Sequence, residues 1–145
     1  MYATRRLSRT GFTLVELAVI SVLIGIMAAF ALPRFRAAVE RSKAAEAFNY
    51  LACVQAAQER YHSRQRTYSD DLSDLDIKLT TPRYFSIGSI RVGGTGSLED
   101  SWTLSLTRFG ASAGYGEYTV TFNEEGFAEE GSTIVDYPDI NPIQT

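Results

Sequence analysis

The stretch that decides the fold is RTGFTLVELAVISVLIGIMAAFALPRF, residues 9 to 35. From Phe12 to Leu32 it runs for 21 residues, and Glu16 is the only charged side chain among them. As an α-helix this length is about 31 Å, close to the hydrocarbon thickness of a bilayer at about 30 Å. Arg5, Arg6 and Arg9 precede the run, and Arg34 and Arg36 follow it. The short leading segment carries only positive charge, which orients the N-terminus toward the cytoplasm.

Three simple readings compete for the run. A buried helix of a globular protein is disfavoured at this length with so little polarity. An ordinary cleaved secretory signal would use the small-residue site Ala29-Phe30-Ala31. It would have to accept a carboxylate inside its apolar region and Leu32-Pro33 directly after the cut. A plain membrane anchor fits the length but leaves Glu16 unexplained. A carboxylate at the centre of a span costs about 3 kcal/mol, less near an end, and such groups normally have a partner. The span itself contains no Lys, Arg or His. A free α-amino group would serve if the chain were cut between Gly11 and Phe12. The new amine would lie about one turn from Glu16, a fair geometry within one straight helix and a better one between two staggered copies.

The residues GFTLVEL resemble the leader junction of the type IV prepilins and of the related pseudopilins of type II secretion. A short basic leader, Gly-Phe-Thr-Leu, a Glu and a long apolar helix together make a specific motif. It covers Met1 to about Phe35, with a weaker likeness through Leu75. The resemblance implies that a prepilin peptidase cuts between Gly11 and Phe12 and methylates the amine of Phe12. It implies that Glu16 pairs with the Phe12 amine of a neighbouring subunit during assembly. The cut would fall before the apolar run, so residues 1–11 would be a leader and residues 12–33 would stay as a membrane and filament-core helix. Gly25 and Pro33 are weak points in that helix, costing about 1 and 3 kcal/mol relative to Ala. Pro33 also leaves the Ala29 carbonyl without its helical donor. Two outcomes stand open: a mild bend in a continuous helix, or unwinding between Gly25 and Pro33 on assembly, as the family would have it.

Apolar periodicity continues past Pro33. Ala44, Ala47, Phe48, Leu51, Val54 and Tyr61 recur at threes and fours, an amphipathic helix over residues 34–67. The helix is expected to end near Thr67, where TYSDDLSDLD changes the composition. SDDLSDL reads as a capped helical turn with Leu72 and Leu75 pointing inward.

Residues 68–145 read as an antiparallel β head with an irregular C-terminal tail. YFSIGSIRV has strand composition with Gly88 as a bulge. WTLSLTR and YTVTFN alternate apolar and polar, so Trp102, Leu104 and Leu106 share one face, as do Tyr118, Val120 and Phe122. NEEGF is a turn with Gly126 at positive φ, before a short strand from Phe127. The expected fold is α+β, one long N-terminal helix packed on a sheet of three or four antiparallel strands. The helix face from Phe48 to Tyr61 is the cover that the sheet requires.

The chain's other groups offer little chemistry. It holds one Cys and one His. Cys53 and His62 sit nine residues apart on the helix, on opposite sides and about 13 Å apart along its axis, too far for a nucleophile–base pair. A single Cys forms no intramolecular disulfide. Many pilins staple their C-terminal loop with one, so this chain must stabilise its tail otherwise. Gly94-Thr95-Gly96 and GASAGYG lack the further features of a dinucleotide fingerprint and read as connections. The acidic run Asp70, Asp71, Asp74 and Asp76 lacks the alternation and Gly of an EF-hand. Asp136 and Asp139 in VDYPDINP are weak calcium candidates, by likeness to pseudopilins that bind calcium there. No cofactor is expected.

Charge is unevenly spread. Without residues 1–11 the chain has 11 basic and 17 acidic residues. Residues 34–66 hold seven basic and three acidic, and residues 67–145 four basic and 13 acidic. The plain reading is that the acidic surplus solvates the head. The alternative is attraction between a basic stem and an acidic head of stacked subunits. Arg60, Arg64 and Arg66, with Tyr61 and Tyr68, form a small basic cluster, but the acidic head works against DNA affinity.

The sequence therefore points to a structural protein rather than an enzyme. It resembles a type IV pilin, inserted in the inner membrane as a single-pass precursor and extracellular once assembled. The resemblance implies as partners further copies of itself, other pilins, the prepilin peptidase and an inner-membrane assembly platform. The alternatives are a type II secretion pseudopilin and, from another class, a membrane-anchored exported ligand-binding domain.

Overall fold

The computed structural model describes residues 11–110 and 114–144. Arg5, Arg6 and Arg9, and residues 111–113 of the second Gly-rich stretch, lie outside the described residues. The chain divides between Arg36 and Ala37 into two compact units. Helix α1, Leu14–Gln65, contributes to both.

In the first unit α1 is apolar on every side. None of its membrane-length window is buried by the chain's own residues. The helix stays regular through Gly25 and Pro33.

In the second unit α1 acquires one buried stripe: Ala44, Ala47, Phe48, Leu51, Val54 and Ala57. All but Ala57 are expected positions, at threes and fours, and the expected Tyr61 is partly buried. The helix stops because Arg66 turns to a left-handed φ of 63°, an uncommon conformation for a residue other than Gly. The turn is held by the Arg66 N–H donating to the His62 carbonyl at 2.8 Å. Buried Gln58 then clamps the returning chain. Its amide donates to the Ser69 carbonyl at 2.8 Å and accepts from the Ser69 N–H at 2.9 Å. The acidic run follows as a single 3-10 turn, Leu72–Asp74, capped by Asp71 accepting from the Ser73 N–H at 2.8 Å. Leu75 is buried beneath it.

The sheet has five antiparallel strands: β1 (Phe85–Ile87), β2 (Arg91–Val92), β3 (Trp102–Arg108), β4 (Thr119–Asn123) and β5 (Gly126–Ala128). The order is β1-β3-β4-β5, with β2 also on β3. The expected three or four strands become five because the first breaks at Gly88. The pairing passes from Ile87↔Leu106 to Arg91↔Thr103, so the edge advances four residues while β3 gives up three. The extra residue makes a bulge. The Gly88 N–H still bonds the Ser105 carbonyl at 3.0 Å, and a Cβ there would lie 2.8 Å from that oxygen. Gly126 opens the β4–β5 turn with φ 116°, as NEEGF requires.

Alternation places the core as expected. Trp102, Leu104 and Leu106 of β3 are fully buried, with Tyr118 and Val120, and Phe122 nearly so. Phe48 reaches from α1 to Phe122 and Phe127, with centroids 5.8 and 5.1 Å away. The tail is more ordered than an extended segment. Thr133–Asp136 forms a 3-10 turn, and Ile134 and Ile140 are fully buried. The Arg41 guanidinium donates to the carbonyls of Pro142 and Gln144 at 3.4 Å each. Among the described residues the tail is held by these contacts and by no disulfide.

Candidate functional site

The first unit presents an apolar surface of a size that soluble monomers rarely leave uncovered. Phe12, Leu14, Val15, Met27, Phe30 and Phe35 are each more than two-thirds exposed. Apolar side chains on all sides of one helix call for lipid or for other helices.

At the start of this surface Glu16 is engaged within its own chain. The Thr13 N–H donates to Glu16 Oε2 at 2.8 Å, and the Thr13 hydroxyl donates to the same oxygen at 2.9 Å. In return the Glu16 N–H donates to Thr13 Oγ1 at 3.2 Å. This is a capping box: a hydroxyl and a carboxylate three residues apart satisfy each other's backbone donors at a helix start. Its signature, Thr13-Leu-Val-Glu16, stands in the sequence and needs no cationic partner for the carboxylate. The carboxylate's second oxygen, Oε1, has no hydrogen bond given to it among the described residues. Gly11 and Phe12 lie just ahead of the helix, exposed, and a Cβ at Gly11 would meet nothing within 4 Å.

The remaining candidates disperse. Cys53 is half-buried on α1. His62 stacks on Tyr68 at 4.4 Å and places Nε2 2.9 Å from the Glu99 carbonyl. Arg60 forms a two-pronged pair with Asp76, Nη2 to Oδ1 at 2.8 Å, which engages one arginine of the small basic cluster. Gly25 and Pro33 sit inside regular helix. Asp139 accepts from the Tyr115 hydroxyl at 2.5 Å, which together with burial raises the tyrosine pKa to about 12. Asp136 lies in the 3-10 turn of the tail. Among the described residues no three His, Cys, Asp or Glu side chains gather to hold a metal ion.

One cluster escaped the sequence reading. Glu40 of α1 and Arg108 at the end of β3 are 0% and 1% exposed. Arg108 Nε lies 2.5 Å from Glu40 Oε1 and Nη2 lies 3.3 Å from Oε2. The Tyr118 hydroxyl donates to Glu40 Oε1 at 3.2 Å, and Lys43 Nζ reaches Oε2 at 3.3 Å. Arg108 also donates to the carbonyls of Tyr84 and Phe109. Burial alone would raise the Glu40 pKa. The hydrogen bonds and charges of Arg108 and Lys43 outweigh it and hold the carboxyl below its ordinary range. Two in-phase signals were available. Glu40 falls on the stripe of Ala44, Ala47 and Leu51, and Arg108 falls in register with Trp102, Leu104 and Leu106.

The chain is similar to known proteins. It is 30% identical over 122 residues to the fimbrial protein EcpC of Eikenella corrodens, covering 84% of this chain and 77% of that protein. It is 40% identical over 65 residues to the type IV major pilin protein PilA of Myxococcus xanthus, covering 45% of this chain and 30% of PilA. No family model matches the chain.

Proposed function

Because the chain belongs to the type IV pilin family, we propose that it is a structural subunit of a type IV pilus-like helical filament. A prepilin peptidase cuts it between Gly11 and Phe12 and methylates the Phe12 amine. The mature subunit leaves the inner membrane, where its N-terminus faced the cytoplasm, and packs its apolar helix against copies of itself. The observation that carries this reading is the fully exposed apolar helix with one carboxylate at its start. A bilayer satisfies that surface in the precursor, and neighbouring helices satisfy it in the filament. The names of both relatives, a fimbrial protein and a pilin, favour this over a secretion pseudopilin.

Glu16 holds two jobs in succession. In the uncut chain it caps its own helix through Thr13. Once Phe12 carries a free, methylated amine, Glu16 pairs with that cation on the neighbouring subunit. A charged pair inside an apolar core must be satisfied on both sides, so an out-of-register neighbour is penalised. Pro33 and Gly25 bracket the segment that unwinds as the subunit enters the filament.

Mass spectrometry of sheared filaments tests the reading. The expected mature chain begins at N-methyl-Phe12. A chain starting at Met1 would leave only an anchored protein, and one starting at Leu32 would leave a secreted domain.

A further inference from the structure

The second unit carries 9 basic and 16 acidic residues, yet one end of it is apolar and basic. At that end β1 begins, β3 finishes and the helix turn of Glu40 meets them, as the Glu40–Arg108 pair and the Phe85↔Arg108 pairing fix. Tyr84 and Phe109 stand there, 40% and 48% exposed, joined by the Phe109 N–H donating to the Tyr84 carbonyl at 3.1 Å. Val39 precedes Glu40 on the helix and is exposed, and Ile143 is exposed beside the carbonyls that Arg41 binds. These four are interleaved with cations. Lys43 Nζ sits 5.1 Å over the Tyr84 ring, Arg41 donates to the carbonyls of Pro142 and Gln144, and Arg83 adjoins Tyr84 in sequence with its own N–H bonded to Glu46 at 3.0 Å. Exposed aromatic and aliphatic groups mixed with Lys and Arg are the composition of a membrane-interface anchor.

We propose that this rim docks into the interfacial zone of the bilayer that holds the protein's own apolar run, before the subunit enters a filament. The inference rests on the membrane-anchored precursor put forward above. Two further facts choose the bilayer as occupant. Val39 lies only seven residues beyond Leu32, and seven residues span at most about 25 Å however they are arranged. Val39 is thus kept within that reach of the end of the apolar run, so the rim it belongs to meets the bilayer at high effective concentration. The charge also matches. A unit that is acidic elsewhere gathers cations on the end tied to the membrane, where anionic headgroups attract them. Docking would hold the second unit in one orientation during insertion and processing, and release of the rim would accompany extraction.

The test uses the full chain with Cys53→Ala, reconstituted in nanodiscs containing anionic lipid, with single nitroxide labels. Label sites are Phe109→Cys and Val39→Cys on the rim and Val92→Cys at the opposite end of β3, paired with Trp102 and about as exposed as Phe109. Ile24→Cys marks the span. Thermal melts confirm that each variant folds. Accessibility to oxygen against a polar nickel relaxant reports depth. The expected result places labels 109 and 39 about 5–10 Å into the headgroup–acyl boundary, with label 92 in water. Replacing anionic by zwitterionic lipid, or raising salt, shifts the rim labels outward. Labels 109 and 39 as water-exposed as label 92, with label 24 in hydrocarbon, overturn the docking and leave the pilin reading intact. Label 24 in water overturns the anchored precursor and the docking together. Rim labels shielded from both relaxants, with spin–spin broadening that grows with protein-to-lipid ratio, assign the rim to a second copy and overturn the docking.

Discussion

Glu16 and Glu40 show two ways in which one carboxylate is made tolerable. Glu16 has the backbone and hydroxyl of Thr13, so its cap and its proposed pairing with an amine are separable by substitution. Glu16→Gln keeps a side-chain oxygen for the Thr13 N–H but carries no charge. It should insert in the membrane as wild type does and fail to enter filaments, as Glu16→Ala also should. Filaments of normal yield from Glu16→Gln, counted by electron microscopy, would show that the cap suffices. Glu40 instead sits in a buried network with Arg108, Tyr118 and Lys43. Removing one partner of a buried pair leaves the other charge uncompensated, so Glu40→Ala and Arg108→Ala should each cost about 3–5 kcal/mol in urea unfolding. Because folding lowers the Glu40 pKa, its stabilisation is full above the unfolded carboxylate value, about 4.3. It is lost as pH falls below that value through the folded pKa. Wild type should therefore lose stability as pH falls below about 4.3, and Glu40→Gln less steeply. Equal slopes would remove Glu40 as the acid-sensitive group.

At the scale of elements, much of the fold was legible because periodicity is a local signal. The stripe from Ala44 to Val54 and the alternation from Trp102 to Leu106 each lie within a dozen residues, and both are buried as they read. The Glu40–Arg108 pair joins residues 68 apart. Nothing local records that two in-phase charges belong to each other, so each reads as an exception to its own pattern. The broken edge strand is intermediate. Gly88 advertised a bulge, but the two strands on either side emerge only from the register with β3. A methyl at Gly88 meets the Ser105 carbonyl, a backbone atom that cannot swing away, whereas a Cβ at Gly94 meets nothing within 4 Å. Gly88→Ala should destabilise the fold by about 1–3 kcal/mol. Gly94→Ala should stay within about 0.5 kcal/mol of wild type. Helix α1 poses the converse case, since it is regular through Pro33 in the single chain. Unwinding between Gly25 and Pro33 belongs to the assembled state in the reading above. A filament map of Gly25→Ala/Pro33→Ala should show continuous helix there, and a wild-type map already continuous would end that part of the proposal.

For the molecule as a whole, the decisive contrast is between a unit that gives up its own burial and one that keeps it. The first unit leaves its apolar helix for other molecules to cover, so its stability depends on what covers it. The second closes its core without them, and without a covalent staple. Its tail returns over the sheet and buries Ile134 and Ile140 completely, while Ser132 Oγ accepts the Thr121 N–H at 2.8 Å. Sequence showed that a disulfide was impossible with one Cys, but not what replaced it, because the tail's partners are strands and helix turns far away in the chain. Packing rather than polar pinning carries the tail. The Arg41 contacts to Pro142 and Gln144 are long, at 3.4 Å, the first half-buried and the second exposed. Ile140→Ala should therefore cost about 2–5 kcal/mol, the range for emptying a closed apolar site. Arg41→Ala should cost no more than about 1.5 kcal/mol, the net worth of an ordinary hydrogen bond. Reductant should change the melting temperature of neither variant nor of wild type. Thermal melts of the detergent-solubilised chain, with and without reductant, read all three. A larger loss from Arg41→Ala than from Ile140→Ala would mean that the guanidinium holds the tail and that the isoleucine merely follows it.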